Sequence, residues 1–468
     1  MTATIKLVWL DDMAADIDSL DLMGGLGAAT GFVLKRDGWV QAIASDSDTS
    51  VQEVFTFRIK GSSSDNLATQ VQALDTKIRQ VNDWLKNPGV ERYQVWLRVK
   101  MNNETLERQA MVKSIRGTAI AVQALEAQLD SDVEDYQVAI ERTPWWEDPY
   151  AYPTTTAKTN INSIGGLATL SETIRGDVPA RLAKVSLTPP DAVSPMSDYW
   201  LGWKTNRFGV AANFQPVWSI GDSGLPLIAD TAQVADGTAY GTNKLQCTFA
   251  SGATFLARCI NQLGGSTGVD ADQRGSYTVL LRAKMSDASV ARVRIEAGFA
   301  PGITLYNPVI RSRQVVSGTA WRLYEVGNVS IPPTRIYATH TLTNFAIQLD
   351  AERLSGAGYL DVDCFILIPV DDGMVKLSAP IGVTTTGKSI NVFQRVTDDL
   401  GALFEEGGNV LYSVIVKPTG KWALPAYDDS PVLVVAAQDV TAGSVKGKLV
   451  NMSYTYIPRW RTLRGNET

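Results

Sequence analysis

The clearest periodic pattern in the chain is an apolar stripe with helical spacing. The stripe consists of Leu67, Val71, Leu74, Ile78, Val81 and Leu85. Steps of three and four residues place these side chains on one face of an α-helix. Ser64 or Asp65 can cap its start, and Asn87-Pro88-Gly89 ends it, so the sequence predicts a helix over 66–86.

A different pattern, the alternation of apolar and polar residues, follows this helix. Val95, Leu97 and Val99 are separated by single amphipathic or charged residues, which predicts a half-buried strand. Residues 137–142 have the same strand character. The first 152 residues are therefore predicted to form an α+β domain in which one helix lies on a sheet.

Beyond residue 152 the pattern becomes that of a mainly β protein. Short β-rich runs such as SYTVLLRAKM, ARVRIEAG and YLDVDCFILIPV are separated by Gly, Pro, Asn, Ser and Asp. Such spacing predicts a β-sandwich of the jelly-roll kind over 153–375. Residues 376–468 form a further β-rich domain, which is a candidate to complete a sandwich begun at about 160–205. One helix is predicted there, over 393–404.

The segment 143–153 reads TPWWEDPYAYP, with four aromatic rings and three prolines in eleven residues. Aromatic rings that carry a polar group can either stack on a sugar or pack where the chain leaves one domain for the next. The prolines exclude a helix and a central strand on both sides of the change to β-rich sequence. We favour the domain exit, with Trp145 and Trp146 packed against the first domain or its neighbour.

The net charge bears on which partners the protein binds, and the number and spacing of its cysteines bear on disulfides and zinc sites. The chain has 43 Lys and Arg against 49 Asp and Glu, a net charge of −6, which argues against a nucleic-acid partner. Cys247, Cys259 and Cys364 form no CxxC motif and cannot all pair with one another. Neither a disulfide framework nor a zinc site is indicated, and the three residues are predicted to be core or free thiols.

The residue pattern indicates neither a signal peptide nor a transmembrane segment. The start, MTATIKLVWLDD, lacks a basic region followed by an apolar run, and no window of about 18 apolar residues follows. We therefore expect synthesis and assembly in a cytoplasm, without membrane insertion.

Two short motifs resemble catalytic ones but lack supporting context. Residues 382–389, GVTTTGKS, fit the phosphate-loop pattern, yet three β-branched threonines suit a tight phosphate nest poorly. About 80 residues follow, too few for a nucleotide-binding sheet, so a hairpin loop is favoured. The sole histidine, His340, excludes His-rich metal sites.

Carboxylate pairs leave one enzymatic hypothesis open, a carboxylate-dependent glycosidase. Asp361 and Asp363 lie at i and i+2 and share one face of a predicted strand. A calcium site and a solvated face are both compatible with this spacing, and the solvated face is favoured. We predict no catalytic residues, no metal site and no cofactor, and we expect that the protein is not an enzyme.

The layout of the chain resembles the siphophage distal tail (baseplate hub) and minor tail protein family. The first domain resembles the N-terminal domain of this family in the strand FTFRIKG, the helix at 66–86, the strand YQVWLRVK and the exit QVAIERTPWWEDP. The stretches GYLDVDCFILIPVDDG and SYTYIPRW resemble strands of the carbohydrate-binding-like jelly-roll modules that such proteins carry. The resemblance implies a tail-tube-like first domain, six copies of which form a ring continuing the tail tube, with β-modules that project outward.

Two functional hypotheses from different classes follow. The first is a structural virion protein, a hexameric homo-oligomer that contacts tail-tube and tail-tip or baseplate proteins at the distal tail. The alternative is a glycan-binding protein for attachment to the host surface. Trp200, Trp203, Trp218 and Trp321 lie in the β-rich region, where their rings either stack on sugars or belong to the core.

Overall fold

The structure is a computed structural model, and its chain divides into two compact units. Unit 1 comprises Met1–Tyr152, Arg175–Ala180 and Ile457–Thr468, and unit 2 comprises Pro153–Ile174 and Arg181–Tyr456. The predicted scheme of three domains stays a prediction. The structure describes residues 4–10, 16–23, 32–45, 48–60, 67–86, 94–101, 107–120, 133–149, 152–153, 158–162, 166–169, 174–188, 196–205, 215–249, 255–263, 274–300, 303–331, 345–371, 373–378, 390–394, 401–405, 415–420, 423–424, 431–439 and 449–463.

The elements up to residue 149 belong to unit 1. The predicted helix at 66–86 is confirmed and begins at Leu67. In chain order the elements are β1 Thr4–Leu10, β2 Asp16–Asp21, β3 Phe32–Val40, β4 Val51–Lys60, α1 Leu67–Lys86, β5 Gln94–Lys100, β6 Glu107–Ile120, β7 Val133–Arg142 and β8 Trp146–Glu147.

Antiparallel pairing connects seven of these strands into one continuous path, β2-β1-β5-β6-β7-β4-β3. The long strand β6 holds the path together, because residues 107–111 pair with β5 and residues 112–120 pair with β7. In the described part of the chain, β2 and β3 are the two ends of this path.

Helix α1 closes the hydrophobic core of unit 1. Its residues Leu74, Ile78 and Val81 are buried in one cluster with strand residues such as Phe57 and Leu97. The helical stripe read from the sequence therefore faces the sheet. Full burial of an aliphatic side chain of this size contributes roughly 1.5–3 kcal/mol, so the stripe is a major source of the stability of this helix.

The remaining elements build unit 2. Two segments of them, Arg175–Ala180 and Ile457–Thr468, belong to unit 1 instead. In the described residues the remaining elements comprise strands and one short helical turn. They are β9 Tyr152–Pro153, β10 Lys158–Asn162, β11 Gly166–Thr169, β12 Val178–Thr188, β13 Met196–Thr205, β14 Val217–Ser219, α2 Ile220–Ser223, β15 Leu225–Pro226, β16 Thr231–Ala235, β17 Asn243–Cys247, β18 Leu256–Leu263, β19 Gly275–Met285, β20 Val290–Phe299, β21 Tyr306–Ile310, β22 Gln314–Ser317, β23 Arg322–Ile331, β24 Phe345–Ser355, β25 Leu360–Pro369, β26 Gly373–Ser378, β27 Ile390–Gln394, β28 Gly401–Glu405, β29 Ile415–Gly420, β30 Ala423–Leu424, β31 Pro431–Asp439 and β32 Leu449–Trp460.

Two antiparallel sheets form a β-sandwich in unit 2. Sheet 1 has the order β16-β17-β25-β19-β23 with β14 beside β25, and sheet 2 has the order β15-β18-β24-β20-β21 with β22 beside β20. Alternate residues of both sheets, such as Leu281 and Leu349, share one buried core. Cys247, Cys259 and Cys364 lie in this core as free thiols, which confirms their predicted state.

Sheet 3 has the order β11-β31-β13-β26-β29 and joins distant parts of the sequence. Strand β13 pairs with both β26 and β31, and β12 pairs with β27. Trp200 of β13 and Val434 of β31 belong to the same core cluster as Phe365 of sheet 1. Sheet 3 therefore packs on the sandwich.

The predicted helix over 393–404 is wrong. Residues 390–394 and 401–405 are strands β27 and β28, which pair antiparallel with Ile390 opposite Glu405. A short apolar run is ambiguous between helix and strand when its periodicity is the only signal. Here pairing of Ile390 with Leu187 in β12 decides in favour of strand.

Candidate functional site: a cleft beside sheet 3

A cleft in unit 2 has a volume of about 390 Å³. This volume lies near the lower end of the range of small-ligand sites. Strands β13, β22, β23 and β26 contribute its walls. The lining residues are Trp200, Gln314, Leu323, Tyr324, Glu325 and Lys376.

Strand register brings the charged and aromatic residues of the cleft together. Trp200 and Lys376 are directly opposite in the β13–β26 pair, so their side chains lie on one face. The Lys376 Nζ atom is 5.4 Å from the Trp200 ring centroid and 3.0 Å from Glu325 Oε2. The Tyr324 hydroxyl donates to the Ser317 carbonyl oxygen at 2.9 Å, which fixes that ring. Burial raises the pKa of Tyr324 and keeps it a neutral donor.

The chemistry of the lining suits a hydroxylated ligand. Lys376 provides donors, Glu325 provides acceptors, and the Gln314 amide provides both. Lys376 and Glu325 remain 26% and 40% exposed, so both reach solvent. Glu325 is the single carboxylate among the lining residues, whereas glycoside hydrolysis by the usual route uses two.

Of the four tryptophans predicted to stack on sugars, the structure brings only Trp200 to the cleft. Trp200 is 3% exposed and presents little of its ring face, and Trp203 is fully buried. Trp218 is half-buried and donates from Nε1 to the Gln215 carbonyl oxygen at 2.9 Å.

Trp321, the fourth of these residues, is held by neighbours in sheet 1. Its Nε1 donates to Thr238 Oγ1 at 2.9 Å, and the Arg282 and Lys284 cations lie 4.8 and 4.4 Å from its ring centroid. Stacking of sugars on any of the four rings stays a prediction.

The two tryptophans of the proline-rich segment contact residues of unit 1. Trp146 is fully buried in the core of unit 1, with the Arg142 guanidinium 4.1 Å from its ring centroid. Trp145 is half-buried, and the Arg461 guanidinium lies 5.9 Å from its ring. Their predicted role in domain-exit packing stays a prediction.

The solvated face predicted for Asp361 and Asp363 is wrong. Both carboxylates are almost fully buried. Asp361 accepts from Lys244 Nζ at 2.8 Å, and Asp363 pairs with Arg282 and accepts from the Tyr240 amide at 2.9 Å. The connection between β16 and β17, which carries Tyr240, covers this face, and burial raises the pKa of both carboxyl groups. Among the described residues, no group of three or more His, Cys, Asp or Glu is placed to hold a metal ion.

Sequence reasoning missed Gln314, Glu325 and Lys376. They lie on three strands that are far apart in the sequence, so no local motif links them. No pattern in the sequence alone groups them, because pairing and packing of the strands bring them together. The phosphate-loop-like residues 382–389 and His340 lie outside the described residues. No helix in the described part is long and apolar enough to span a membrane.

Comparison with known proteins finds no matching family model and no matching curated protein. Among solved structures, the chain is similar to the CBM22-1–GH10 modules of Clostridium thermocellum endo-1,4-beta-D-xylanase 10B in complex with xylohexaose, with 14% identity, a TM-score of 0.20, and coverage of 35% of this chain and 28% of that chain.

Two further structures are similar at the same level. The tandem CBM22 domain of Paenibacillus barcinonensis Xyn10C has 10% identity and a TM-score of 0.20, with 58% of this chain and 97% of that chain covered. A chain of the phage P2 baseplate in its activated conformation has 10% identity and a TM-score of 0.19, with 78% and 98% covered. TM-scores this low establish neither a fold nor a function for this chain.

Proposed function

We propose that the protein is a structural component of a long-tailed bacteriophage virion. In this proposal a tail-tube-like unit 1 forms a hexameric ring at the distal tail tip, and unit 2 supplies accessory β-sandwich modules. Its partners are further copies of this chain and the tail-tube and baseplate proteins. The proposal also holds that the protein has no enzymatic activity. The observation that carries it is the exposed apolar surface of unit 1 at the end of β3, formed by Val40 and Ile43.

The strands at the two ends of the sheet path of unit 1, β2 and β3, meet at one point within the subunit. The Leu34 amide of β3 donates to the carbonyl oxygen of Met23, which follows β2, at 3.3 Å. Lys35 Nζ of β3 lies 2.7 Å from Asp135 Oδ2, so this charge is paired within the subunit. We therefore assign the contact between subunits of the proposed ring to exposed side chains and not to backbone pairing of β2 with β3.

Exposed apolar residues adjoin the β3 edge. Val40 ends β3 and is 65% exposed, and Ile43 just beyond it is 75% exposed. Exposed apolar groups of this kind typically mark interaction surfaces when they cluster. In the proposed ring they provide an apolar part of the subunit contact, which salt does not screen.

The double variant Val40→Asp with Ile43→Asp is expected to abolish the ring, because it places two charges in the contact. Native mass spectrometry and negative-stain imaging of the full chain with tail-tube protein measure this. Ile303→Asp is the matched control, since Ile303 is 60% exposed but lies in unit 2. A wild-type chain that stays monomeric with tail-tube protein present would overturn the proposal, as would rings in the double variant.

A second candidate function is attachment to host-surface glycan through the cleft. The specific observation is the Trp200–Lys376–Glu325 group, in which a buried aromatic ring adjoins a donor and an acceptor in a cleft of about 390 Å³.

Lys376→Ala is expected to weaken glycan binding about tenfold, the equivalent of about 1.4 kcal/mol. A glycan array followed by titration of the strongest ligand measures the change. Lys113→Ala, at an exposed lysine of unit 1, should leave affinity unchanged. Equal affinity of the wild type and Lys376→Ala would exclude the cleft as the binding site.

A further inference from the structure

The outer face of sheet 2 carries a second set of polar side chains, separate from the cleft. Alternate residues of β20 and β24 such as Ile295 and Leu349 point into the sandwich core, so the residues between them face outward. Three cross-strand pairs result, Arg292 with Glu352, Arg294 with Asp350, and Glu296 with Gln348. We call these six residues the polar network.

Short contacts connect the polar network. Arg292 Nη2 is 2.7 Å from Glu352 Oε1, and Arg294 Nη2 is 2.8 Å from Asp350 Oδ2 and 3.0 Å from Glu296 Oε1. Gln348 Nε2 donates to Asp350 Oδ1 at 2.8 Å. Asp350 and Glu352 are buried although they face away from the core. The network is therefore a preorganised array of donors and acceptors.

One further arginine, Arg313, adds a cation that the network does not neutralise. The Arg292, Arg294 and Arg313 guanidiniums lie 5.9, 4.9 and 4.8 Å from the ring centroid of Phe255. Arg313 is exposed and has no ion-pair partner among the residues that the structure describes. A planar guanidinium in this state suits bidentate binding of a carboxylate.

Exposed aliphatic residues border the polar network on the same face. Val315 is opposite Arg292 and is 47% exposed, and Ile310 is opposite Glu296 and is 56% exposed. Opposite residues in an antiparallel pair share a face, so these side chains adjoin the charged ones. This face therefore presents the exposed Arg313 guanidinium, the hydrogen-bond donors and acceptors of the polar network, and the exposed aliphatic side chains of Val315 and Ile310.

We propose that this face binds an acidic saccharide. The ligand carboxylate pairs with Arg313, its hydroxyls bond to Gln348 and Glu296, and its C–H surface lies against Val315 and Ile310. Hydroxyl groups both donate and accept, which matches the mixed network. A peptide bound by strand addition would need an open edge with free N–H groups, and Pro308 interrupts these groups in β21.

The charge state of the network supports an anionic ligand. Burial and the neighbouring Asp350 carboxylate raise the pKa of Glu296, although Arg294 opposes this shift. Glu296 therefore loses its negative charge at a higher pH than an ordinary glutamate does, which favours an anion at Arg313. Affinity for an acidic saccharide should accordingly increase in mildly acidic solution.

Isothermal titration calorimetry of the full chain with trigalacturonate tests the proposal. Arg313→Ala should weaken binding at least tenfold, and raising the salt concentration should weaken it in the wild type because the contact is exposed. Arg322→Ala, at an exposed arginine of sheet 1, should leave this affinity unchanged.

Two comparison ligands decide the chemical class. Maltotriose has the same length without carboxylates, and triglutamate has the carboxylates without the sugar rings. Weaker binding of both supports an acidic-saccharide site. Equal binding of either one would overturn the assignment, as would no binding of trigalacturonate or equal losses in Arg313→Ala and Arg322→Ala. Ring formation does not enter these measurements, so the structural role can fail or hold independently.

Discussion

Trp460→Ala is expected to lower the free energy of unfolding of unit 1 by about 3–5 kcal/mol, the usual cost of truncating a buried tryptophan. Trp460 is 5% exposed and lies in the core of unit 1 with Leu463. Its Nε1 donates to Asp148 Oδ1 at 3.0 Å, and the Arg108 guanidinium lies 4.3 Å from its ring centroid. Truncation removes core volume and a buried hydrogen bond together.

Hydrogen exchange of the full chain measures this loss by region. Amides of β5 and β6 in unit 1 should exchange roughly a hundredfold to several thousandfold faster, while those of β19 and β25 in unit 2 keep their protection. Trp145→Ala is the control, because that ring is only half-buried and should cost far less. Unchanged protection of β5 and β6 in Trp460→Ala would show that the C-terminal residues are dispensable for unit 1.

The same residues show which features of the fold the sequence could predict. Helix α1 is local, and its apolar stripe specifies both its length and its buried face. The contact between Trp460 and Asp148 joins residues 312 positions apart, and no local pattern encodes it. A protein built only from the first 152 residues would therefore lack part of its own core.

For the candidate site, the sequence could predict which residues share a face of one strand, but not which residues of other strands lie beside them. Alternation correctly placed Asp361 and Asp363 on one face of β25, but the connection that buries this face comes from another part of unit 2. Trp200 was singled out by residue type, whereas Lys376 became relevant only through its register with Trp200. The polar network on sheet 2 likewise depends on pairing between β20 and β24. Cross-strand register is a property of tertiary structure.

Glu53→Gln is expected to destabilise unit 1 by about 3–5 kcal/mol, because it leaves the Arg142 charge buried without its counter-charge. Both side chains are fully buried, and Arg142 donates from Nε and Nη2 to Glu53 Oε1 at 2.9 and 2.6 Å. Glu53 also accepts from Trp39 Nε1 at 2.8 Å and from the Ala42 amide at 3.2 Å. Glutamine retains the shape but cannot supply the charge or all four acceptor contacts.

Urea unfolding of the full chain, with tryptophan fluorescence and hydrogen exchange as probes, measures the change in unit 1. Glu141→Gln is the matched control on β7, because Glu141 is half-exposed and its amide replacement can accept from one of the two serine hydroxyls, Ser50 or Ser114, and donate to the other. It should cost about 1 kcal/mol or less. A loss below that value in Glu53→Gln would show that Arg142 does not need its partner.

The double variant Glu53→Gln with Arg142→Met separates the buried charge from the contacts of the arginine with the proline-rich segment. Arg142 Nη1 also donates to the carbonyl oxygens of Thr143 and Pro144, at 2.7 and 2.9 Å, and its guanidinium lies over Trp146. If the unpaired charge causes the loss, the double variant should be more stable than Glu53→Gln. If the double variant is less stable, the main role of Arg142 is to hold the start of TPWWEDP against the core of unit 1.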